Sequence, residues 1–191
     1  MPHRIHLLIV LAVLGSGAAH AQAPDAATMF ARPGHVLLLR HANAPGTGDP
    51  PAMTLADCST QRNLDDRGRA QARQLGERLR AAKLTGARIY TSQWCRCRET
   101  ARLLALGPVE ELAALNSFFD QPEAKEARVR ALREFLDALP RDGRPVVLVT
   151  HQMTITALTG SFPASGEGLV LKLRAGGGFD RAAELPAPVS Q

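Results

Sequence analysis

Two histidines stand at the ends of apolar runs. His41 follows "HVLLLR" at residues 35–40, and His151 follows "VVLVT" at 146–150. Arg40 precedes the first directly, and Arg96 lies in "YTSQWCRCRETARLL", just past a third short run at 88–91. A neutral imidazole is a nucleophile, and a guanidinium is a planar fork that matches phosphate oxygens two at a time. One such residue alone reads as a satisfied polar group at a strand end. Two arginines and two histidines arriving at the ends of separate strands describe a pocket for a phosphoryl group.

Such a pocket needs a scaffold that gathers strand ends. Val36–Arg40, Arg88–Thr91 and Pro145–Thr150 read as strands, with a shorter one at 108–110. Between them, residues 65–83 form an amphipathic helix with Ala70, Ala72, Leu75, Leu79 and Ala82 toward the core. A helix capped by Ser92 runs through "CRCRETARLLAL", a long helix covers 123–140, and another covers 152–159. Gly168–Arg174, a Gly-rich turn and Phe179–Leu185 close the chain with two strands. The alternation predicts an α/β fold: a mostly parallel central sheet, helices on both faces and an antiparallel edge. In such sheets ligands bind beyond the carboxyl ends of the strands, where Arg40, His41, Thr91, Ser92, Thr150 and His151 all fall. Backbone N–H groups at the start of the helix bearing Arg96 would add to an anion site.

The 191 residues suit one ordinary domain, and the formal net charge is +5. Basic residues are spread along helix faces without an aromatic-interleaved run, which argues against a nucleic-acid partner. Residues 1–21 carry Arg4, an apolar run from Leu7 to Leu14 and the small-residue site Ala19-His20-Ala21. That pattern predicts a secretory signal peptide cleaved near Ala21, a mature chain of residues 22–191 with no membrane span, and a periplasmic location. Cys58, Cys95 and Cys97 are the cysteines; in an oxidising compartment one disulfide and one leftover thiol are expected, and zinc-ligand spacing is absent.

The same residues carry a family resemblance. "LLLRHANAPG" resembles the Arg-His-Gly signature of the histidine phosphatase (phosphoglycerate mutase-like) superfamily, with Ala42 in place of Gly. "NLDDRGRAQARQLGERL" is similar to that family's Leu-Thr-x-x-Gly-x-x-Gln-Ala segment. "YTSQWCRCRETARLL" resembles its Ser-Pro-x-x-Arg-Ala-x-Gln-Thr-Ala helix, and "VVLVTHQMTITAL" the segment with its second histidine. The Arg-His-Ala start and the leader together resemble the exported bacterial branch. The resemblance implies a phosphoric monoester hydrolase needing no metal or other cofactor. His41 would attack phosphorus and form a phosphohistidine, with Arg40, Arg96 and His151 holding the oxygens. A phosphorylated small molecule or envelope glycan phosphate would be the partner, such as a sugar phosphate of lipopolysaccharide, with inorganic phosphate as product.

Departures from the family pattern narrow the reading. Where many members carry a general-acid Glu, this chain has Ser117 in "ALNSFFDQPE". Either Asp120 or Glu123 donates the proton instead, or the substrate has a leaving group that needs none, such as phosphohistidine or an acyl phosphate. A third reading is a catalytically weak phosphate-ligand binding protein. The long loop at 42–64 should rim the pocket, offering Asn43, Arg62 and Asn63 to the ligand, with turn capping as the alternative role of Asn63. Gln152 follows the second histidine and is a further candidate for ligand contact. Trp94, Phe118 and Phe119 read as core or rim packing, with a stacking surface as the alternative. Aligned with the family helix, Arg96 faces phosphate, Cys97 replaces a small buried residue and Cys95 sits nearer the rim. The resemblance thus implies a Cys58–Cys95 disulfide, with Cys97 a buried thiol.

Overall fold

A computed structural model describes residues 25–188. The signal peptide expected at residues 1–21 lies outside the described residues. The elements run α1 (Ala26–Phe30), β1 (His35–Arg40), α2 (Asp66–Ala81), β2 (Arg88–Thr91), α3 (Cys95–Leu104), β3 (Val109–Glu111), α4 (Lys125–Ala138), β4 (Val146–Thr150), α5 (Gln152–Thr159), β5 (Gly168–Leu173) and β6 (Phe179–Leu185). They build one six-stranded sheet in the order β3-β2-β4-β1-β5-β6. The first four strands in that order are parallel, and β5 and β6 add an antiparallel edge. This is the architecture the sequence predicts.

The continuous apolar runs follow from burial on both faces. Side chains alternate along a strand, so Leu37, Leu39, Val147 and Val149 meet α1, α2 and α3 on one face. Val36, Leu38, Val146 and Leu148 meet α4 and α5 on the other. Register then fixes the site. Arg40 pairs with Thr150, and the His41 N–H donates to the Thr150 carbonyl at 2.9 Å, so both histidines leave the sheet at one level.

Local chemistry sets the helix starts. Asp65 caps α2, its side chain accepting from the Gly68 N–H at 2.7 Å. Gly76 lets α2 approach α3 closely: a Cβ there would collide with the Leu104 carbonyl. The buried stripe of α2 is Gly68, Ala72, Leu75, Gly76 and Leu79. Ala70 and Ala82, expected toward the core, lie outside that stripe, and Ala82 is exposed. Ala70 lies two positions from Ala72, about 200° round the helix. The helix carrying Arg96 begins at Cys95 with Trp94 as its cap residue, later than expected; the Ser92 hydroxyl accepts from the Trp94 N–H at 3.3 Å and also bonds His151. Helix α4 is preceded by a 3₁₀ turn at Pro122–Ala124.

Cys58 and Cys95 form a disulfide, and Cys97 is a buried free thiol. The bond ties the 42–64 loop to the first turn of α3 across a separation of 37 residues. Closure entropy for that span gives a stabilisation on the order of 3–4 kcal/mol. Cys58→Ser should therefore lower the urea midpoint and the unfolding free energy by a comparable amount, with an m-value that rises as the unfolded chain loses its cross-link. An unchanged midpoint would show that other contacts hold the loop.

Candidate active site

At the carboxyl ends of β1 and β4 lies a cleft of about 230 Å³ lined by Arg40, His41, Asp49, Arg62, Arg96 and His151, among others. The four residues singled out from strand ends and the following helix converge there. His41 is buried, and its Nδ1 lies 2.7 Å from the Ala42 carbonyl oxygen. A carbonyl only accepts, so Nδ1 holds the proton and the lone pair sits on Nε2. Burial, with the Arg96 and Arg40 charges beside it, pushes the His41 pKa down to about 3. A histidine so placed is unprotonated at neutral pH, as an attacking nitrogen must be.

His151 sits 5.5 Å from His41, ring centre to ring centre. Its Nε2 donates to the Ser92 hydroxyl at 2.8 Å, which in turn donates to Asn116 Oδ1 at 3.2 Å. Its Nδ1 faces Arg96 Nη2 at 3.5 Å. Burial, Arg96 and His41 hold its pKa well below the ordinary value. Cys97 lies 3.5 Å from His151 Nε2, but burial pushes the thiol up to about 12, so it stays protonated and inert.

Asp49 is a site residue that sequence reasoning missed. Its carboxylate pairs end-on with Arg96, Oδ1 to Nη1 at 2.8 Å and Oδ2 to Nη2 at 3.0 Å. It also accepts from the Arg62 N–H at 3.0 Å and from Trp94 Nε1 at 3.0 Å. Burial works to raise the Asp49 pKa, but these donors, Arg96 first, outweigh it and hold the carboxyl below its usual range. End-on pairing leaves Arg96 Nε buried without a partner; Arg40 Nε is likewise unpaired, as is Arg98 Nε outside the cleft. Two orphaned guanidinium N–H groups in one cationic cleft are the expected signature of a site built for an anion. Asp49 therefore orients Arg96 without occupying the edge that an anion would take. The lining carries three guanidiniums against one carboxylate, a net charge of +2 with both imidazoles neutral, which matches a phosphate dianion.

The remaining candidates divide. Arg62 lines the cleft, and its Nε and Nη1 brace the loop through the Gly48 and Ala44 carbonyls. Gln152 lines it too, with Nε2 on Thr156 Oγ1 at 2.7 Å. Asn43 and Asn63 are elsewhere. Asn43 donates to the Asp65 side chain, and Asn63 donates to the Cys58 and Gln61 carbonyls, so both carry out turn and capping work. Neither Asp120 nor Glu123 reaches the cleft. The chain turns at Ser117–Phe118, which sends Asp120 to a neighbouring concavity and leaves Glu123 exposed in a 3₁₀ turn. The start of α3 is not free for an anion at its first residue, because the Cys95 N–H donates to Gln61 Oε1 at 2.8 Å.

The two neutral histidines make stability pH-dependent. Their folded pKa values lie below the ordinary 6.5, so the unfolded chain binds more protons in that window. Their contribution is complete above about pH 6.5 and is lost as pH falls, for His41 down to about pH 3 at up to about 1.4 kcal/mol per pH unit. Thermal melts should therefore fall steadily from pH 7 to pH 5. A flat melting temperature over that range would contradict the burial of neutral imidazoles.

A family model, the histidine phosphatase superfamily (branch 1), matches residues 36–119, the stretch that carries Arg40, His41, Asp49 and Arg96. Over those residues the chain matches the histidine phosphatase superfamily. That match supports a phosphatase. Solved structures share its fold. The protein histidine phosphatase SixA complexed with tungstate aligns at a TM-score of 0.61 and 20% identity, over 80% of this chain and 96% of that one. SixA from Agrobacterium tumefaciens, described as a phosphohistidine phosphatase, aligns at 0.57 and 21%, over 80% and 97%. A mycobacterial glucosyl-3-phosphoglycerate phosphatase in complex with VO₃ aligns at 0.57 and 16%, over 80% and 98%. At these identities the likeness is one of fold. No curated protein sequence matches the chain. Among the described residues, no helix is long and apolar enough to cross a membrane.

Proposed function

We propose that the protein hydrolyses exported phosphorylated substrates through a phosphohistidine on His41. The observation that carries the reading is the unprotonated His41 Nε2 facing a cleft whose two unpartnered guanidinium edges await an anion. In the first step His41 Nε2 forms a bond to phosphorus as the bond to the leaving group breaks. Arg40 and Arg96 hold the non-bridging oxygens, and the built-in charge does the work a metal ion would otherwise do. His151 contributes by taking up a proton when the dianion arrives and donating it from Nδ1. Water then attacks the phosphohistidine from the side the leaving group has vacated, releasing inorganic phosphate and restoring neutral His41.

The leaving group needs little protonation in this account. Asp49 is the carboxyl group lining the cleft, and Arg96 holds it ionised. Aryl phosphates, acyl phosphates and phosphohistidine meet that condition. A lipopolysaccharide sugar phosphate, whose alkoxide leaves poorly, is served only if Asp49 takes a proton as the substrate displaces its charge from Arg96. Export to the periplasm is supported by the leader-like residues 1–21 and by the disulfide, which persists in oxidising compartments. Assay of the purified protein on 4-nitrophenyl phosphate, acetyl phosphate, phosphohistidine and hexose phosphates, each with and without chelator, tests the reading. Turnover of the first three, insensitive to chelator and about 10²–10⁴ faster than on hexose phosphates, is expected. Stoichiometric phosphate capture without turnover would favour a binding protein.

A further inference from the structure

We infer that the mouth of the cleft is built to hold a flat ring, so that the substrate is a phosphoryl group carried on an aromatic ring. This rests on the phosphatase reading and deepens it. Two large hydrophobic side chains are exposed among the described residues: Phe119 at 50% and Phe162 at 76%. Single exposed phenylalanines on a surface are ordinary. Here both line the same cleft, the one floored by Arg40, His41, Arg96 and His151, and Met153 joins them. They reach it from separate loops, one after β3 and one after α5.

Both rings are presented on held backbone. The Phe119 N–H donates to Ser117 Oγ at 3.2 Å, and the Ser117 carbonyl accepts from Arg128 at 2.5 Å. Ser117, at the position where the family resemblance expects an acid, instead fixes the turn that aims a ring at the cleft. Phe162 lies between two anchored residues. The Pro163 carbonyl accepts from Arg40 Nη1 at 2.9 Å, and Ser161 is bonded through its carbonyl, N–H and hydroxyl to Thr156, Thr159 and Arg181. Arg40 thus links the phosphate floor to the Phe162 turn. An apolar side chain left in water on a braced backbone is paid for only when a ligand covers it. A cleft of about 230 Å³ holds a phosphoryl group with one ring beyond it. An aromatic leaving group, whether a phenoxide or an imidazole already protonated on its other ring nitrogen, also departs with little help from a general acid, in keeping with the ionised Asp49.

Two unhydrolysable probes separate ring binding from phosphate binding: phenylphosphonate and methylphosphonate, titrated into the full-length protein by calorimetry. With two ring contacts, wild type should bind phenylphosphonate about tenfold more tightly than methylphosphonate. The Phe119→Ala, Phe162→Ala double variant should bind both equally, with methylphosphonate affinity unchanged. Both side chains are exposed, so folding survives, and a melting curve verifies it. Equal binding of the two probes by wild type, or a ring preference that survives the double variant, overturns the inference. If the rings instead serve a macromolecular partner, wild type shows no ring preference. If neither phosphonate binds, the phosphate site itself is refuted.

Discussion

His41→Asn abolishes turnover, with an expected loss on the order of 10⁴–10⁶ in kcat, the scale seen when a nucleophile is removed. Asparagine keeps a polar side chain of similar reach but offers no lone pair able to displace a leaving group from phosphorus. The effect should be one of kcat. The guanidiniums of Arg40 and Arg96 remain, with their unpartnered Nε groups, so inorganic phosphate and vanadate should still bind. Stability should hold or rise at acid pH, because one of the two buried neutral imidazoles has gone. Steady-state kinetics and vanadate titration check this. Activity within tenfold of wild type would exclude His41 as the attacking group.

Arg96→Ala has the second-largest effect, and it acts on two levels. Loss of a preorganised donor to the transferring phosphoryl group costs about 10²–10³ in kcat. The same change strands Asp49, whose side chain is 5% exposed, without its countercharge. Breaking a buried pair from one side costs about 3–5 kcal/mol. The double variant Arg96→Ala, Asp49→Asn separates the two. It should recover most of the stability and none of the activity. Recovery of neither, or of both together, would show that the Arg96–Asp49 pair is not arranged as described.

The residues legible in the sequence are those attached to regular elements. Arg40, His41 and His151 sit at the ends of apolar strands, and Arg96 sits on the first turn of a helix, so strand count and order place them together. The Cys58–Cys95 bond comes from the same helix alignment. The five-residue α1 is too short to show a helical period, so the sequence does not announce it. Asp49 is illegible for a different reason. It lies in "GTGDPP", where composition indicates only a turn. Its role comes from Arg62, Trp94 and Arg96 meeting it in space, 13, 45 and 47 residues away. Asp120 and Glu123 suggest themselves only because they come soon after Ser117 in the chain. The Phe118 side chain turns into the interior, and beyond Phe119 the backbone heads away from the cleft. Nearness in sequence is a poor guide inside loops, where direction is set by side-chain contacts and not by periodicity.

Rapid quenching during turnover of an aryl phosphate, with peptide mass spectrometry under alkaline conditions, tests the central claim most directly. The account predicts one acid-labile phosphoryl group, in the peptide containing His41, appearing within the first turnover and absent from His41→Asn. A phosphoryl group on His151, Cys97 or another residue, or full-rate turnover with His41 unmodified at every quench time, would contradict it.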